Sequence, residues 1–429
     1  MLIKDIIARE ILNSRGLPAV EVDVITDDGF VSRGSAPSGA STGTFESIEI
    51  TDGEEAFGGK GVDKAVANVV NLIKPALIGK DPTNQKEIDT IMMKLDGTPN
   101  EARLGGNAVL AVSIAACKAG AHVKNVPVYQ HVHEIFDKAA ATYTIPVPMF
   151  NVINGGAHAD NNIAIQEFMV VPKGIATYDL QLRAGAEIYQ ILKKLIKSKG
   201  LSTGVGDEGG FAPSLTSDVE AIKLILQACE EAGYQPGKDV FIALDIAIDQ
   251  YAIKSESGTF SYVFPHQGDD GTLTLRDQIE IISYYEELVR RFPITSIEDG
   301  LGEEDWNFWP TLTSKLQALN VLSIGDDFTV TNPNRLAKAV SMNALTGIII
   351  KPNQVGTITE VLEVASISTL NNITKNASHR SGETEDNFIA HLAVGIDAQF
   401  LKNGATARSE RVEKYNELLR IQEQLNKNS

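Results

Sequence analysis

Four apolar segments in the second half of the chain each run into an ionisable residue. Their end positions are Asp245, the pair Glu298 and Asp299, the pair Asp326 and Asp327, and Lys351. Helical patterns separate the segments at intervals of roughly 25 to 50 residues, a spacing typical of successive strand–helix units. In a barrel of parallel strands, every strand C-terminus reaches the same rim. We therefore expect Asp245, Glu298, Asp326 and Lys351 to converge.

The first part of the chain has a different pattern. Residues 1 to about 55 alternate apolar and polar side chains, as in "AVEVDVITDDGFVSRGS", and residues from about 60 to 130 carry apolar positions at helical spacing. The two different patterns, in a chain of 429 residues, therefore predict an α/β protein with two domains. We place an α+β domain at 1–139 and a βα barrel domain at 140–429. A capping-box-like pair, Thr274 and Asp277, is predicted to open a barrel helix.

The amino-acid composition limits the partners that the protein can bind and the cellular compartment in which we expect it. The net charge of −18 argues against nucleic acid or an anionic membrane as a partner. The longest small-apolar stretch, "AVLAVSIAAC", is too short to span a bilayer, so no membrane span is predicted. Two cysteines, Cys117 and Cys229, cannot form a disulfide framework, and we expect a reducing cytoplasm.

The converging carboxylates predict a metal site. Three carboxylates at one point repel one another, and a hard divalent cation relieves the repulsion. An all-oxygen ligand set suits Mg²⁺. Taken singly, each acid could equally be a solvated loop residue or a helix cap, and Lys351 could be an ion-pair partner. Beside a metal and other cations the pKa of Lys351 would fall, and such a lysine can act as a general base.

Two glycine-framed segments add candidate site residues. "GVGDEGGFAP" carries Glu208 between glycines, and "VINGGAHADNNIAIQEF" carries His158, Gln166 and Glu167. Glycine allows a backbone to approach a ligand closely, although each segment alone could be a plain turn.

Two further segments could bind anions. "SHRSGETED" places His379, Arg380 and Ser381 just before a helical pattern, which suits a phosphate or a carboxylate but also an ordinary surface loop. "APSGASTG", residues 36–43, could be an anion-binding loop or a mobile lid. It is not a Walker A loop, because it lacks the Gly-Lys-Ser/Thr ending.

The order and length of these motifs resemble the enolase family, most closely the bacterial type. The resemblance covers nearly the whole chain and includes "NSRGLPAVEV", "PSGASTG", "NVINGGAHADNN", "GDEGGFAP", "SIEDGL", "KPNQVGT", "SHRSGETED" and "ARSER". It implies an N-terminal α+β domain and a barrel that starts with a ββαα unit. It also implies the magnesium-dependent interconversion of 2-phosphoglycerate and phosphoenolpyruvate, with two ions during catalysis. Enolase-superfamily sites are themselves the standard example of a Lys or His base working with magnesium on an ene-diolate.

The resemblance also implies roles for individual residues. The implied catalytic residues are Lys351, as the base at C2, and Glu208, as the acid at the C3 hydroxyl. The implied metal ligands are Asp245, Glu298 and Asp326, with Ser41 for a second ion. The implied substrate-binding residues are Arg380 and Ser381 at the phosphate, Lys402 at the carboxylate, and His158, Gln166, Glu167 and His379 elsewhere in the pocket.

The chain departs from the family pattern at several positions. Asn13 stands where an aspartate is usual, and Asp249-Gln250 stands where Ser-Glu is usual. The segment "TLNNITKNASHR" is polar where the family has an apolar strand, with only Ile373 and Ala377 to bury. We predict a weakened or distorted strand at this point.

Two alternative functions follow from these observations. The first is a related barrel enzyme that removes a proton next to another carboxylate, although Lys402 with Arg380 and Ser381 suits a phosphorylated acid better. The second is an enolase-derived binding or moonlighting protein, at the surface or secreted, with reduced catalysis, which the polar segment favours. The family implies at least a homodimer, and often a larger homo-oligomer.

Overall fold

The structure is a computed structural model of the 429-residue chain. It describes residues 1–39, 45–53, 56–136, 143–256, 258–265 and 273–428. The domain boundary predicted near 140 falls between the third and fourth of these ranges, outside the described residues.

An antiparallel three-stranded sheet opens the chain. Its strands are β1 (Ile3–Leu12), β2 (Pro18–Thr26) and β3 (Val31–Ser35), in the order β1-β2-β3. Five helices follow among the described residues: α1 (Asp63–Asn68), α2 (Lys74–Leu77), α3 (Gln85–Asp96), α4 (Gly106–Lys124) and α5 (Val128–Phe136). A 3₁₀ turn (Ala56–Gly59) precedes them, and a π-helical segment (Val69–Ile73) joins α1 to α2. Alternate residues of β2 are fully buried, as the alternating pattern predicts.

Helix α4 is the buried centre of this first domain. The hydroxyl of Ser32 on β3 donates to the carbonyl of Ala115 at 2.8 Å. A Cβ at Gly34 would lie 2.4 Å from the carbonyl of Ala111, so only glycine allows the strand this close to the helix. Among the helices of the described ranges, α4 alone has the length and apolarity to cross a membrane, and 83% of it is buried inside the protein.

The second part of the chain forms a closed eight-stranded barrel. Its strands are β4 (Val147–Asn154), β5 (Glu167–Val171), β6 (Phe241–Asp245), β10 (Ile294–Glu298), β11 (Leu322–Gly325), β12 (Gly347–Ile350), β13 (Thr374–Ser378) and β14 (Phe400–Lys402), in that order around the barrel. β5 runs antiparallel to both neighbours, and the other described pairings are parallel. A separate sheet contains β7 (Ala252–Lys254), β8 (Phe260–Pro265) and β9 (Leu273–Arg276).

Within the part of the chain that the structure describes, eight helices accompany the barrel. They are α6 (Tyr178–Ser198), α7 (Asp218–Glu231), α8 (Gln278–Arg291), α9 (Trp309–Gln317), α10 (Pro333–Ser341), α11 (Ile358–Leu370), α12 (Phe388–Gly395) and α13 (Ser409–Asn428). Single 3₁₀ turns lie at Gly156–His158, Ile248–Tyr251 and Pro352–Gln354. Because α6 and α7 lie between β5 and β6, the barrel starts with a ββαα unit, and the predicted fold class is confirmed.

The predicted distortion of the polar strand is wrong. β13 pairs with β12 from Thr374 to Ala377 and with β14 from Asn376 to Ser378, without a register shift. Lys375 is 4% exposed, and its ammonium donates to the hydroxyl of Thr369 at 2.8 Å. The backbone pairing is regular because the polar side chains are accommodated on both faces of the strand.

The predicted start of helix α8 is also wrong. Thr274 belongs to β9, and the helix begins at Gln278. Asp277 caps it by accepting from the backbone N–H of Glu280 at 2.9 Å, and the Glu280 carboxylate accepts from the N–H of Asp277 at 2.9 Å. The capping box therefore lies three residues further along the chain than the sequence pattern indicated.

Candidate active site

The predicted rim carboxylates come together at one end of the barrel. Asp245 and Glu298 are direct neighbours in the register of β6 and β10, and Asp326 follows the end of β11. All three are buried, with exposed fractions of 3%, 1% and 6%. Buried carboxylates need positive partners, because an unpaired charge away from water is costly.

Two lysines supply that positive charge. The ammonium of Lys402 lies 2.8 Å from Asp245 Oδ2 and 2.8 Å from Glu298 Oε1. The ammonium of Lys351 donates to Asp326 Oδ2. Burial raises the pKa of Glu298 well above its ordinary value, and the charge of Asp245 raises it further. For Asp326, burial acts to raise the pKa, but the charges of Lys351 and Lys402 and the hydrogen bond from Lys351 act together in the other direction, and the pKa is lowered.

The pKa of Lys351 differs from the sequence expectation. Burial acts to lower it, yet the pKa is raised above its ordinary value, and the adjacent charge of Asp326 is the largest of the causes that raise it. The predicted downward shift assumed a metal beside the lysine. In the arrangement described here, the nearest group is instead a carboxylate.

The donor set fits a hard divalent cation. Glu298 Oε2 is buried and has no hydrogen-bond partner within the described part of the chain, so it is available to a cation. One oxygen each of Asp299, Asp326 and Asp327 lie within 4.8 Å of one another. All of these ligand atoms are carboxylate oxygens, which Mg²⁺ prefers. Ser41, the expected ligand of a second ion, lies outside the described residues.

A second group of titratable side chains surrounds Glu208. One ligand atom each of His158, Glu167 and Glu208 lie within 4.8 Å of one another. His379 Nε2 is 3.4 Å from Glu208 Oε2, and the amide of Asn151 donates to the same oxygen at 3.0 Å. Burial raises the pKa of Glu167 well above its ordinary value, and the charge of Glu208 raises it further. Glu167 therefore gives up its proton at a higher pH than an ordinary glutamate does.

Glycines allow these segments to approach one another. A Cβ at Gly210 would lie 2.3 Å from the amide oxygen of Asn154. Gly404, which follows Lys402 by two residues, has a φ of +70°, and a Cβ there would lie 2.5 Å from the carbonyl oxygen of Glu208. Glycine at these two positions allows the segments around Glu208 to pack closely, and the close approach of the motif to a ligand stays a prediction.

The anion-binding segment lies beside the same carboxylates. Arg380 is buried, and its guanidinium lies 3.1 Å from Glu46 Oε2. Ser381 and Arg380 line one pocket, and the predicted site residues that line it with them are His158, Gln166, Glu167, Glu208, Asp245, Asp326, Lys351, His379 and Lys402. Glu298 is not part of the pocket surface, and it contacts the site through Lys402.

Sequence reasoning missed several residues that hold this site. Asp299, at a φ of +44°, accepts the backbone N–H groups of Asp326 at 2.9 Å and Asp327 at 2.8 Å. Gln354 donates to Asp326 Oδ1 at 3.1 Å. The acid doublets at the two strand ends were a visible signal for Asp299 and Asp327. Nothing local in the sequence indicated Glu46 or Gln354.

The fold and the site together define a class of proteins: an α+β domain joined to a barrel with an acidic, lysine-bearing rim. Two family models match the chain, "Enolase, N-terminal domain" over residues 3–132 and "Enolase, C-terminal TIM barrel domain" over residues 142–429. The chain belongs to the enolase family. Family membership supports catalysis of the enolase-superfamily type on a small-molecule substrate.

Proposed function

We propose that this protein is a magnesium-dependent enolase of the bacterial type, which converts 2-phosphoglycerate to phosphoenolpyruvate and catalyses the reverse reaction. One pocket that contains Lys351, Glu208 and the pair Arg380 and Ser381 carries the proposal. These residues provide a base, an acid and a phosphate site, which are the three functions that this reaction requires.

Mainly cationic side chains would bind the substrate. The guanidinium of Arg380 and the hydroxyl of Ser381 would bind the phosphate, since a planar fork of N–H donors suits phosphate oxygens. Lys402 would bind the substrate carboxylate. Glu46 keeps the Arg380 guanidinium in position, because the two side chains are both buried and 3.1 Å apart.

Proton removal at C2 falls to Lys351. A lysine acts as a base only as the free amine, so Nζ must lose its proton before it accepts the one from C2. The contact with Asp326 opposes that loss, and it must loosen when the site is loaded. Asp245, Glu298 and Asp326 would hold the magnesium, which supplies positive charge to the substrate carboxylate as negative charge grows on it.

Loss of the C3 hydroxyl falls to the Glu208 group. The C3–O bond breaks as the hydroxyl takes up a proton and leaves as water. A proton held by the neighbouring carboxyl groups of Glu208 and Glu167 would be transferred to the leaving group. The base and the acid must differ in protonation at the same pH for this reaction.

Phosphoenolpyruvate formation followed by ultraviolet absorbance tests the proposal. We expect turnover with magnesium and none with excess EDTA. A panel of phosphorylated and unphosphorylated 2-hydroxy acids tests the alternative of a related barrel enzyme. Turnover of an unphosphorylated acid alone would overturn our assignment of Arg380 and Ser381. No described feature now favours the binding-protein alternative, because β13 is regular.

The remaining assignments are also proposals. We place the protein in the cytoplasm, with domains at 1–139 and 140–429, and as a homodimer or a larger homo-oligomer. Light scattering coupled to size-exclusion chromatography would measure the oligomeric state.

A further inference from the structure

Arg411 is a fully buried arginine on α13 that the proposed mechanism does not use. Its Nη1 donates to the carbonyl of Arg380 at 2.6 Å, and its Nη2 donates to the carbonyls of Ser381 at 2.7 Å and Asp207 at 3.1 Å. The same Nη1 also contacts Nδ1 of His379. One guanidinium therefore connects the loop after β13 with the loop that carries Glu208.

The contact with His379 fixes the position of a proton. A guanidinium has five N–H donors and no acceptor, so Nδ1 of His379 must be the acceptor. The ring proton then lies on Nε2, which is 3.4 Å from Glu208 Oε2. Burial lowers the pKa of His379 to about 4, which keeps the ring neutral at pH 7.

We propose that Arg411 is a positioning residue, which holds His379 in the tautomer that presents its Nε2–H to Glu208. This inference rests on the proposed function, in which Glu208 acts on the C3 hydroxyl. In the other tautomer, the lone pair of Nε2 would face a carboxylate oxygen, and the two would repel each other. Arg411 also binds the carbonyl of Asp207, so it sets the relative position of both members of the pair.

The competing role for Arg411 is that of a brace for loops, and Arg408 provides a matched control. Arg408 donates to the carbonyls of Gly206 at 3.2 Å and Ser14 at 2.8 Å. It therefore braces the same Glu208 loop through carbonyl oxygens. Its described contacts do not include His379.

Nitrogen NMR of histidine-labelled protein tests the tautomer directly, in the full chain without substrate. The His379 signals are assigned by their loss in His379→Asn. In the wild type we expect a protonated Nε2 and an unprotonated Nδ1. A proton on Nδ1 would overturn the proposal, and this result needs no folded variant of Arg411.

Two variants then test the cause. In Arg411→Met we expect a mixture of His379 tautomers and a kcat lower by on the order of 10²-fold, with KM changed by less than about threefold. In Arg408→Met we expect the wild-type tautomer and a kcat within about threefold of the wild type. An unchanged tautomer in folded Arg411→Met, or an equal loss in Arg408→Met, would contradict the proposal.

The NMR measurement tests this inference, and the turnover measurement tests the proposed function, so either can fail without the other. The NMR signals do not depend on which substrate the protein uses. A wild-type protein with the expected tautomer but no turnover of 2-phosphoglycerate would leave the Arg411–His379 relation standing and remove the reaction.

Discussion

Glu167 and Asp245 lie opposite each other at the rim of the barrel, paired across the antiparallel strands β5 and β6. Because β5 runs against its neighbours, its first residue reaches the rim where the other strands end. Lys402 contacts residues of both strands, because its ammonium lies 2.8 Å from Asp245 Oδ2 and 3.4 Å from Glu167 Oε2. The site thus gains a carboxylate that parallel strand ends alone would not supply.

Removal of Lys402 should make the protein depend on magnesium for its stability. Lys402→Met leaves Asp245 and Glu298 buried without their shared cation, and breaking such a pair costs about 3–5 kcal/mol. We expect a lower thermal midpoint in EDTA and a larger rise on adding magnesium than in the wild type. Differential scanning calorimetry with and without magnesium measures both.

Lys375→Met is the matched control for this prediction. Lys375 is also a buried barrel lysine, but its hydrogen bond is to the hydroxyl of Thr369, and no ion pair with a carboxylate is found for it among the described residues. We expect this variant to respond to magnesium as the wild type does. Equal magnesium responses in the two variants would show that the rim carboxylates do not bind the ion.

The convergence of the residues at the strand ends could be predicted from the sequence. Apolar runs mark the strands, and all strands of a parallel barrel end at the same rim. An apolar run sets each strand, and the fold sets where the strands end, so the convergence of Asp245, Glu298, Asp326 and Lys351 needed no long-range information. The position of Glu167 required knowing that β5 is reversed. Periodicity carries no strand direction, and the only indication in the sequence was the ββαα start that the family resemblance implied.

Two other features could not be predicted, for different physical reasons. Glu46 and Arg380 are 334 residues apart, and their contact exists only after the first domain meets the barrel. The polar sequence of β13 led to the wrong prediction of a distorted strand, because we assumed that buried strands need apolar side chains. Lys375 instead reaches Thr369 at the end of α11, and Asn376 turns toward Met149.

Lys351→Ala should abolish exchange of the C2 proton and leave magnesium binding largely intact. The substitution removes the proposed base, and loss of a general base alone lowers rates by about 10²–10⁴-fold. Deuterium exchange at C2 of 2-phosphoglycerate measures the effect, and calorimetric titration measures magnesium binding. Lys315→Ala, at an exposed lysine on α9, should behave as the wild type. Retained exchange in Lys351→Ala would remove Lys351 from this role.

Asn376→Leu should stabilise the protein. The Asn376 amide nitrogen donates only to the sulfur of Met149 at 3.1 Å, a weak acceptor, and its Oδ1 is buried without a partner within the described ranges. A buried polar group left unsatisfied costs about 1–3 kcal/mol, and leucine has a similar size. We expect a higher urea midpoint with unchanged slope. Asn376→Asp should lower it, because it places a charge in the same position. A lower midpoint for the leucine variant would mean that Oδ1 has a partner, such as ordered water.

Asp249→Asn should raise stability above neutral pH. The family resemblance implies a serine at the position of Asp249. Burial, together with the charges of Glu303 and Asp305, raises its pKa from 3.8 to about 7, although the N–H of Glu303 bonds to it at 2.9 Å. The folded state therefore holds this proton more tightly than the unfolded state. Stability contributed at low pH is lost as the pH rises from 3.8 to about 7.

The asparagine variant has no proton to lose at this position, so it should match the wild type near pH 4 and exceed it at pH 8 by on the order of 2 kcal/mol. Urea unfolding in EDTA at the two pH values measures the difference, which keeps magnesium binding out of the comparison. Gln250→Ala, at the next and exposed residue, should keep the pH dependence of the wild type. If Asp249→Asn also keeps that dependence, Asp249 is ionised in the folded protein, and the acidic groups around it do not hold its proton.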